Sequence, residues 1–317
     1  MRYAFFPGCS LESTAWDYDR STRAMCTALG LELTDIPDWV CCGSTPAHAR
    51  NASLAVALPA LNLQKARDAG FTEVLTACAS CYARLRTANH KIGRDPGERE
   101  RSMRITGRLY DGTVKVRHIL DLLVHDLGIK EIGKRVQAPL KDLRVASYYG
   151  CLLSRPAEVV AFDDPEHPTG MDELVKAAGA DVVDWPFKTE CCGASLSVSK
   201  TGVVNRLGHR LLSMAHRAGA ECIVVACPLC QLNLDFRQPE TRKGRNTIPD
   251  IPVIYITQLL GLALGLRPKA LGLEALTISA GPVAARRVAG GQAQGGACGD
   301  QEHKALSSDG GQQPQPN

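Results

Sequence analysis

The tripeptide Cys41-Cys42-Gly43 occurs a second time as Cys191-Cys192-Gly193, and the tetrapeptide Cys78-Ala-Ser-Cys81 occurs a second time as Cys227-Pro-Leu-Cys230. The first pair of motifs is offset by 150 residues and the second pair by 149. Both motifs therefore return in the same order and at nearly the same spacing. Self-similarity of this kind predicts two copies of one structural unit.

A single cysteine precedes the two motifs in each copy. Cys9 follows Tyr3-Ala-Phe-Phe-Pro-Gly8, and Cys151 follows Ala146-Ser-Tyr-Tyr-Gly150. In the first copy 31 residues separate this cysteine from Cys-Cys, and 35 more precede Cys-x-x-Cys; in the second copy the intervals are 39 and 34. Each copy thus carries five cysteines in matching order, which we call a quintet.

The segments between the cysteines predict an α/β fold. Short β-branched or aromatic runs alternate with helical stretches that close with glycine, such as Ala55 to Asp68 and Gly202 to Arg217. This alternation predicts two pseudo-repeated units, each a small, mainly parallel sheet flanked by helices. The motif cysteines fall at or just past the carboxyl ends of the predicted strands, where parallel sheets gather their ligands. We therefore expect metal sites at those ends.

The domain boundaries follow from the repeat. Residues 1–140 are predicted to hold the first repeat and a linking helical segment, residues 141–280 the second repeat, and residues 281–317 a disordered tail. Within the link, residues 95–101 are polar and predict a loop, and Val114 to Leu127 has helical periodicity. The apolar run from Ile251 to Leu266 predicts a buried or amphipathic helix, because its 16 residues are too few to span a membrane.

Composition narrows the class of protein. The 317 residues include 13 cysteines and have a formal net charge of +4, which is too mild to indicate a nucleic-acid partner. The N-terminal residues lack the apolar core and the cleavage site of a secretory peptide. We therefore predict a cytoplasmic protein without a membrane span of its own. Clustered cysteines in that compartment usually bind metal or perform redox chemistry.

Five thiols in each copy favour a cluster over a single ion. A structural zinc ion takes four ligands, so a quintet leaves one thiol over in each copy. Neighbouring cysteines on an extended strand point to opposite faces, so they suit a wide cluster or a sharply bent backbone. Gly43 and Gly193 can supply such a bend. Iron–sulfur clusters are favoured by ligand number and softness, and zinc or a metal-free dithiol pair are the alternatives.

The doubled pattern resembles the cysteine-rich CCG domain of the B subunit of heterodisulfide reductase, over about residues 1–265. The resemblance implies a noncubane [4Fe–4S] cluster in each copy, two in all. It implies that one cluster is held by the first quintet, Cys9, Cys41, Cys42, Cys78 and Cys81. It implies that the other is held by the second quintet, Cys151, Cys191, Cys192, Cys227 and Cys230.

The resemblance also implies a function. In this family a disulfide is cleaved reductively between the two clusters, so the chain would be the catalytic subunit of a heterodisulfide-reductase-like complex, acting on a small disulfide or thiol in either direction. The chain has no nucleotide-binding fingerprint. Electrons would therefore come through a ferredoxin-like iron–sulfur protein, similar to the C subunit of heterodisulfide reductase, and a flavoprotein. The alternative is an electron-transfer subunit of a complex of the fumarate reductase or succinate:quinone reductase type.

Other residues near the motifs have two interpretations each. Cys26 and Cys222 lie outside the repeated pattern and are expected to pack in the core, whereas Cys298 lies in the tail. Several basic residues within eight positions of a motif cysteine could bind an acidic substrate group or offset cluster charge, or could simply be solvated. These residues are His48, Arg50, Arg84, Arg155 and Lys188.

Overall fold

Two four-stranded parallel sheets form the framework of the computed structural model, which describes residues 2–44, 46–242 and 249–287. The first sheet has the strand order β2-β1-β3-β4 and the second has the order β6-β5-β7-β8. The strands of the first sheet are β1 (Arg2–Phe5), β2 (Glu32–Asp35), β3 (Glu73–Thr76) and β4 (Lys115–His118). Those of the second are β5 (Arg144–Tyr148), β6 (Asp181–Val182), β7 (Cys222–Val225) and β8 (Val253–Tyr255).

The two sheets share one topology, with all pairings parallel. The second strand of each copy lies on the outer side of the first, and the third and fourth follow on its other side. The central strand β7 is buried at all four positions, as expected of a parallel strand covered on both faces. The predicted fold class, two pseudo-repeated α/β units, is confirmed.

Helices cover both sheets and carry most of the remaining chain. The α-helices are Gly8–Leu11, Trp16–Ala28, Pro46–Arg50, Leu54–Asp68, Ala79–Arg94, Pro96–Thr106, Ile119–Asp121, Ile129–Lys134, Ala157–Val160, Gly170–Ala177, Thr201–Arg217, Pro228–Gln231, Gln238–Arg242, Ile256–Ala263 and Gly281–Ala285. The 3₁₀ helices are Ala194–Leu196, Pro268–Leu271 and Leu273–Ala275, and the π-helices are Leu122–Gly128 and Leu232–Phe236. No helix in the described ranges is both long and apolar enough to cross a membrane.

The link between the copies differs from its prediction. The stretch predicted as helical from Val114 starts instead with strand β4 and becomes helical only at Ile119. The polar segment predicted as a loop is the first part of the helix Pro96–Thr106. Asp95 caps this helix by accepting a hydrogen bond from the Gly97 N–H, and the proline occupies its first turn, where a missing N–H costs nothing.

The apolar run from Ile251 also divides into two elements. Its first part is strand β8, and helix Ile256–Ala263 follows directly, so the predicted helix is correct for the second part only. Within the segment predicted as a disordered tail, Gly281–Ala285 is instead a helix that buries Val283. Residues 288–317, Cys298 among them, lie outside the described residues.

The two copies pack against each other reciprocally. The helix Trp16–Ala28, from the first copy, packs on Ile256–Ala263, which follows the last strand of the second copy. The helix Gly170–Ala177, from the second copy, packs on Ile129–Lys134, which lies beyond the last strand of the first. At the first of these contacts the Ser21 and Thr257 hydroxyls share a buried hydrogen bond of 2.7 Å. The same elements thus meet twice with their roles exchanged, as in a pseudo-two-fold arrangement.

Candidate functional site

The five thiols of the first copy lie beyond the carboxyl ends of three neighbouring strands. Cys9 belongs to the short helix after β1, and Cys41 and Cys42 occupy the loop after β2. Cys78 is the N-cap of the helix after β3, and Cys81 lies in the first turn of that helix. Because β1 is hydrogen-bonded to both β2 and β3, these three strand ends share one edge of the sheet.

Sulfur atoms of the first quintet are in contact in pairs. Cys9 Sγ lies 3.9 Å from Cys41 Sγ, and Cys42 Sγ lies 3.5 Å from Cys81 Sγ. Cys9 and Cys41 are on the more exposed side of the group, and the other thiols are buried. The structure therefore brings the predicted residues of this copy together.

The second quintet repeats this geometry. Cys192 Sγ lies 3.7 Å from Cys230 Sγ, matching the pair formed by Cys42 and Cys81. The thiols of Cys151 and Cys191 interact with each other, as do the corresponding thiols of the first copy.

The quintets meet at the first cysteine of each Cys-x-x-Cys motif. Cys78 and Cys227 are each 3% exposed, and their thiols interact across the boundary between the copies. This interaction raises the pKa of Cys78, whereas contacts with Cys230 and then Cys78 lower the pKa of Cys227. The thiols of both copies therefore form one continuous group.

The glycines after the paired cysteines provide the predicted bend. Gly43 has a φ of 70° and Gly193 a φ of 78°, a left-handed conformation that side chains disfavour. This conformation turns the Gly43 N–H towards Cys41 Sγ at 3.4 Å and the Gly193 N–H towards Cys191 Sγ at 3.2 Å. Each bend therefore directs one backbone donor at a sulfur atom.

Crowding of the thiols perturbs their ionisation. Contact with Cys41 raises the pKa of Cys9, and contact with Cys191 raises the pKa of Cys151. In return, contacts with Cys42 and Cys9 lower the pKa of Cys41 to about 2, and contact with Cys151 lowers the pKa of Cys191 to about 6. Each outer pair thus tends to keep one proton between two sulfur atoms. Bound metal cations would supply the positive charge that lets both ionise.

The donor set fits a multinuclear iron–sulfur centre. All twelve cysteines in the described ranges are unbridged, so every thiol of both quintets is available as a ligand. Within those ranges, no three or more Cys, His, Asp or Glu side chains are grouped as ligands of a metal ion. The sulfur contacts run from pair to pair instead. Five soft thiolates in each copy exceed the four ligands of a single tetrahedral ion and suit several irons.

A small cavity lies beside the second quintet at the boundary between the copies. Four thiols of the second quintet line this cavity, namely Cys151, Cys192, Cys227 and Cys230. Ala79 and Ser80 of the first copy close one side. Tyr148 and Tyr149 also line it, and both rings are almost completely buried. The cavity is thus a sheltered space that only the two copies together enclose.

The five basic residues predicted near the motifs have different partners. Lys188 is bound by the buried Asp172 carboxylate at 2.6 Å, and Arg155 donates to both oxygens of Glu166 at 2.8 Å. His48 and Arg84 instead contact each other at 2.8 Å near Cys42. The fifth residue, Arg50, is the exposed last residue of the short helix Pro46–Arg50.

Two cysteines outside the motifs lie where they were predicted, and one residue beside the second quintet was not predicted. Cys26 and Cys222 are buried in the core, which confirms their predicted packing role. Sequence reasoning missed Asn233, whose side chain amide is 3.7 Å from Cys192 Sγ. Extending the repeat three residues past each Cys-x-x-Cys would have found it, because it occupies the same place as Arg84.

Comparisons with known proteins agree with this architecture. The family model of the CCG cysteine-rich domain matches residues 3–86 and again residues 145–235. The chain is 33% identical over 279 residues to the 8-methylmenaquinol:fumarate reductase membrane anchor subunit of Wolinella succinogenes, covering 88% of this chain and 97% of that protein. It is 33% identical over 283 residues to the B subunit of the ferredoxin:CoB-CoM heterodisulfide reductase of Methanosarcina mazei, covering 86% and 92%.

A solved structure shares the fold. A hypothetical protein from Helicobacter pylori superposes with a TM-score of 0.71 at 13% identity over 88% of this chain, which spans about half the length of that one (52%). The doubled domain and the extent of the sequence matches define an iron–sulfur redox protein built from two CCG cysteine-rich domains. The chain belongs to the family of the B subunit of heterodisulfide reductase.

Proposed function

We propose that this chain is the catalytic iron–sulfur subunit of a heterodisulfide-reductase-like complex. Each quintet would hold one noncubane [4Fe–4S] cluster: Cys9, Cys41, Cys42, Cys78 and Cys81 one, and Cys151, Cys191, Cys192, Cys227 and Cys230 the other. The observation that carries the proposal is the cavity at the copy boundary, which is lined by four thiols of the second quintet and by Ala79 and Ser80, the two residues between Cys78 and Cys81 of the first. Family membership supports the same assignment.

The reaction follows from this arrangement. Cleaving a disulfide consumes two electrons and two protons and releases two thiols, and formation of the disulfide is the reverse. Two adjacent clusters would supply the electrons singly and offer iron to the sulfur atoms. Residues of both copies line a sheltered cavity beside the second quintet. Buried Tyr148 and Tyr149 exclude water from it, which strengthens electrostatic interactions inside.

The chain needs partner subunits that deliver electrons to it. Its sequence contains no nucleotide-binding fingerprint, so electrons must arrive from another subunit. We propose a ferredoxin-like iron–sulfur subunit as the immediate donor and a flavoprotein beyond it. The relatives named as B subunits of heterodisulfide reductases support such a complex. The predicted cytoplasmic location and the domain limits at residues 140 and 280 remain proposals of the same kind.

A thiol-dependent paramagnetic signal tests the catalytic role. The anaerobically purified, iron-loaded chain is oxidised and mixed with 2-mercaptoethanesulfonate, with 2-hydroxyethanesulfonate as a control that has the same charge and no thiol. We expect a new EPR signal after addition of 2-mercaptoethanesulfonate and none after addition of 2-hydroxyethanesulfonate. An iron-loaded chain whose spectrum is the same with both compounds would contradict a sulfur-binding role.

A second function is favoured by one specific observation. The fumarate reductase membrane anchor subunit of Wolinella succinogenes matches this chain over 97% of its own length. The chain could therefore pass electrons between a quinol and a partner without binding a sulfur substrate. Reduction of the iron-loaded chain by menadiol, together with no response to 2-mercaptoethanesulfonate, would favour this function over the first.

A further inference from the structure

Equivalent positions around the two quintets carry different charges. The third residue after each Cys-x-x-Cys motif is Arg84 in the first copy and Asn233 in the second. Both belong to the helical segment that begins at the motif, so both lie one turn beyond its second cysteine. The repeat therefore places a guanidinium and a neutral amide at the same point relative to two otherwise matched sulfur groups.

Arg84 is held close to the first quintet. Its side chain is half-buried, and its Nη1 lies 2.8 Å from His48 Nδ1. Its Nε is buried and has no hydrogen-bond partner among the described residues. Burial lowers the pKa of Arg84, and the nearby Cys42 thiolate opposes that effect. The guanidinium thus keeps its charge, and a donor, near the sulfur atoms.

Asn233 satisfies its polar atoms around the second quintet without any charge. The side chain is fully buried, and its Oδ1 accepts a hydrogen bond of 2.8 Å from Ser197 Oγ. Its Nδ2 donates to the Cys192 carbonyl at 3.2 Å and lies 3.7 Å from Cys192 Sγ. The second copy therefore offers its sulfur atoms a neutral donor.

Two further positions differ in the same sense. In the first copy Ser44, directly after Cys-Cys-Gly, forms a hydroxyl hydrogen bond with Ser80 inside Cys-x-x-Cys. The equivalent residues of the second copy are Ala194 and Leu229, and both line the cavity at the copy boundary. At these two positions the second copy is thus less polar, and the guanidinium that lies near its Cys151, Arg155, is neutralised by its pair with Glu166.

These differences change the reduction potentials of the two centres more than they change how the thiols bind iron. A positive charge near an iron–sulfur centre stabilises its reduced form, and solvent exposure and polar neighbours act in the same direction. The Asn233 amide, 3.7 Å from Cys192 Sγ, favours reduction too, but it carries no net charge, whereas the Arg84 guanidinium does. The backbone donors Gly43 and Gly193 are matched, so they do not distinguish the copies.

We propose that Arg84 gives the centre of the first quintet the higher reduction potential, so that electrons entering the chain come to rest on the Cys9–Cys81 side. This inference rests on the proposed iron–sulfur function. Arg84 is thus a positioning residue, because its charge acts on the centre of the first quintet from a neighbouring position. The centres of the two quintets consequently differ in reduction potential.

An anaerobic redox titration followed by EPR tests the ordering. In the wild-type chain we expect two reduction steps; Cys42→Ala and Cys192→Ala, each keeping one centre, assign them to the two copies. Arg84→Gln should lower the potential of the first-quintet centre alone, so that at a fixed poise its oxidised-to-reduced ratio rises about tenfold, equivalent to about 59 mV for one electron. Arg84→Lys should preserve most of the wild-type value.

The matched control is Arg94→Gln, which removes the same charge ten residues further along the helix Ala79–Arg94, about 15 Å away. It should leave both potentials unchanged. The proposal is overturned if the first-quintet centre of the wild-type chain has the lower potential, or if Arg84→Gln and Arg94→Gln have equal effects. Absence of iron from the wild-type chain would instead refute the iron–sulfur function, so the two failures are distinguishable. If Arg84→Gln does not retain iron, the wild-type ordering and Arg84→Lys still decide the question.

Discussion

Cys78 and Cys227 occupy the same position in the two copies, and their thiols interact with each other. Each caps the helix that follows the third strand of its sheet. This interaction brings the Cys-x-x-Cys motif of one copy against that of the other. The two groups of thiols are therefore adjacent rather than separate. Contacts between the two copies hold the thiols in that position.

Stacking of Tyr18 on Tyr255 is one of the contacts that hold them. The rings are nearly parallel, with centroids 3.8 Å apart. The Tyr18 hydroxyl donates to the Ala77 carbonyl at 2.8 Å, whereas the buried Tyr255 hydroxyl has no partner among the described residues. Tyr18→Phe should therefore lower the free energy of unfolding by about 1 kcal/mol, and Tyr255→Phe should leave it unchanged or raise it slightly. Chemical unfolding of both variants measures this; an equal loss in the two would be inconsistent with the contacts described.

Asp17 gives the interface a pH dependence. Burial raises the pKa of Asp17 from 3.8 to about 6, although the Gln258 amide donates to its carboxylate at 3.2 Å. At Asp17 the folded chain therefore binds a proton more tightly than the unfolded chain does, so the contribution of this residue to stability falls as pH rises from about 4 to about 6. Buried His118, whose pKa is lowered to about 4, has the opposite effect over that range. Asp17→Asn should remove this contribution, so that its free energy of unfolding exceeds that of the wild-type chain by about 2 kcal/mol at pH 7 and by less at pH 4.

Unfolding curves at several pH values between 4 and 7 measure the effect of Asp17. The control is Glu100→Gln, which removes an exposed carboxylate paired with Arg104 and should change stability by less than about 0.5 kcal/mol at any of these pH values. A stability difference between Asp17→Asn and the wild-type chain that is the same at pH 4 and pH 7 would contradict the raised pKa of Asp17.

Gly193 should be far less tolerant of a side chain than Gly202. A Cβ at Gly193 would lie 3.1 Å from Leu207 Cδ1, in a backbone conformation with φ at 78°. A Cβ at Gly202, within the helix Thr201–Arg217, would meet nothing within 4 Å. We expect Gly193→Ala to cost at least about 1 kcal/mol and to reduce iron content, and Gly202→Ala to stabilise the chain by about 0.4–1 kcal/mol. Similar stability and iron content in both variants would contradict the bend assigned to Gly193.

The sequence was sufficient to predict the sheets and the grouping of the thiols. Cysteines that recur after each short apolar run mark the carboxyl ends of strands, and parallel strands bring those ends to one edge. The repeat then extends the prediction to the second copy. This is why Cys9 could be grouped with Cys41 and Cys42 although more than 30 residues separate them.

Other features could not be predicted because their signals are short or non-local. Strands β4 and β8 have four and three residues and run directly into helices, so one continuous periodicity hides the change of structure. The interaction of Cys78 with Cys227 and the stacking of Tyr18 on Tyr255 depend on how the copies dock, which no local pattern encodes. The helix Pro96–Thr106 is different, since its Asp-Pro start is a recognisable cap that its polar composition obscured.

The most direct test of the central claim is the iron and acid-labile sulfide content of the chain after anaerobic purification. The wild-type chain and Cys26→Ala, which alters a buried cysteine outside the quintets, should contain the equivalent of two [4Fe–4S] clusters, and Cys42→Ala and Cys192→Ala should each contain half as much. Zinc without labile sulfide in the wild-type chain, or unchanged iron in either quintet variant, would contradict the assignment of one cluster to each quintet.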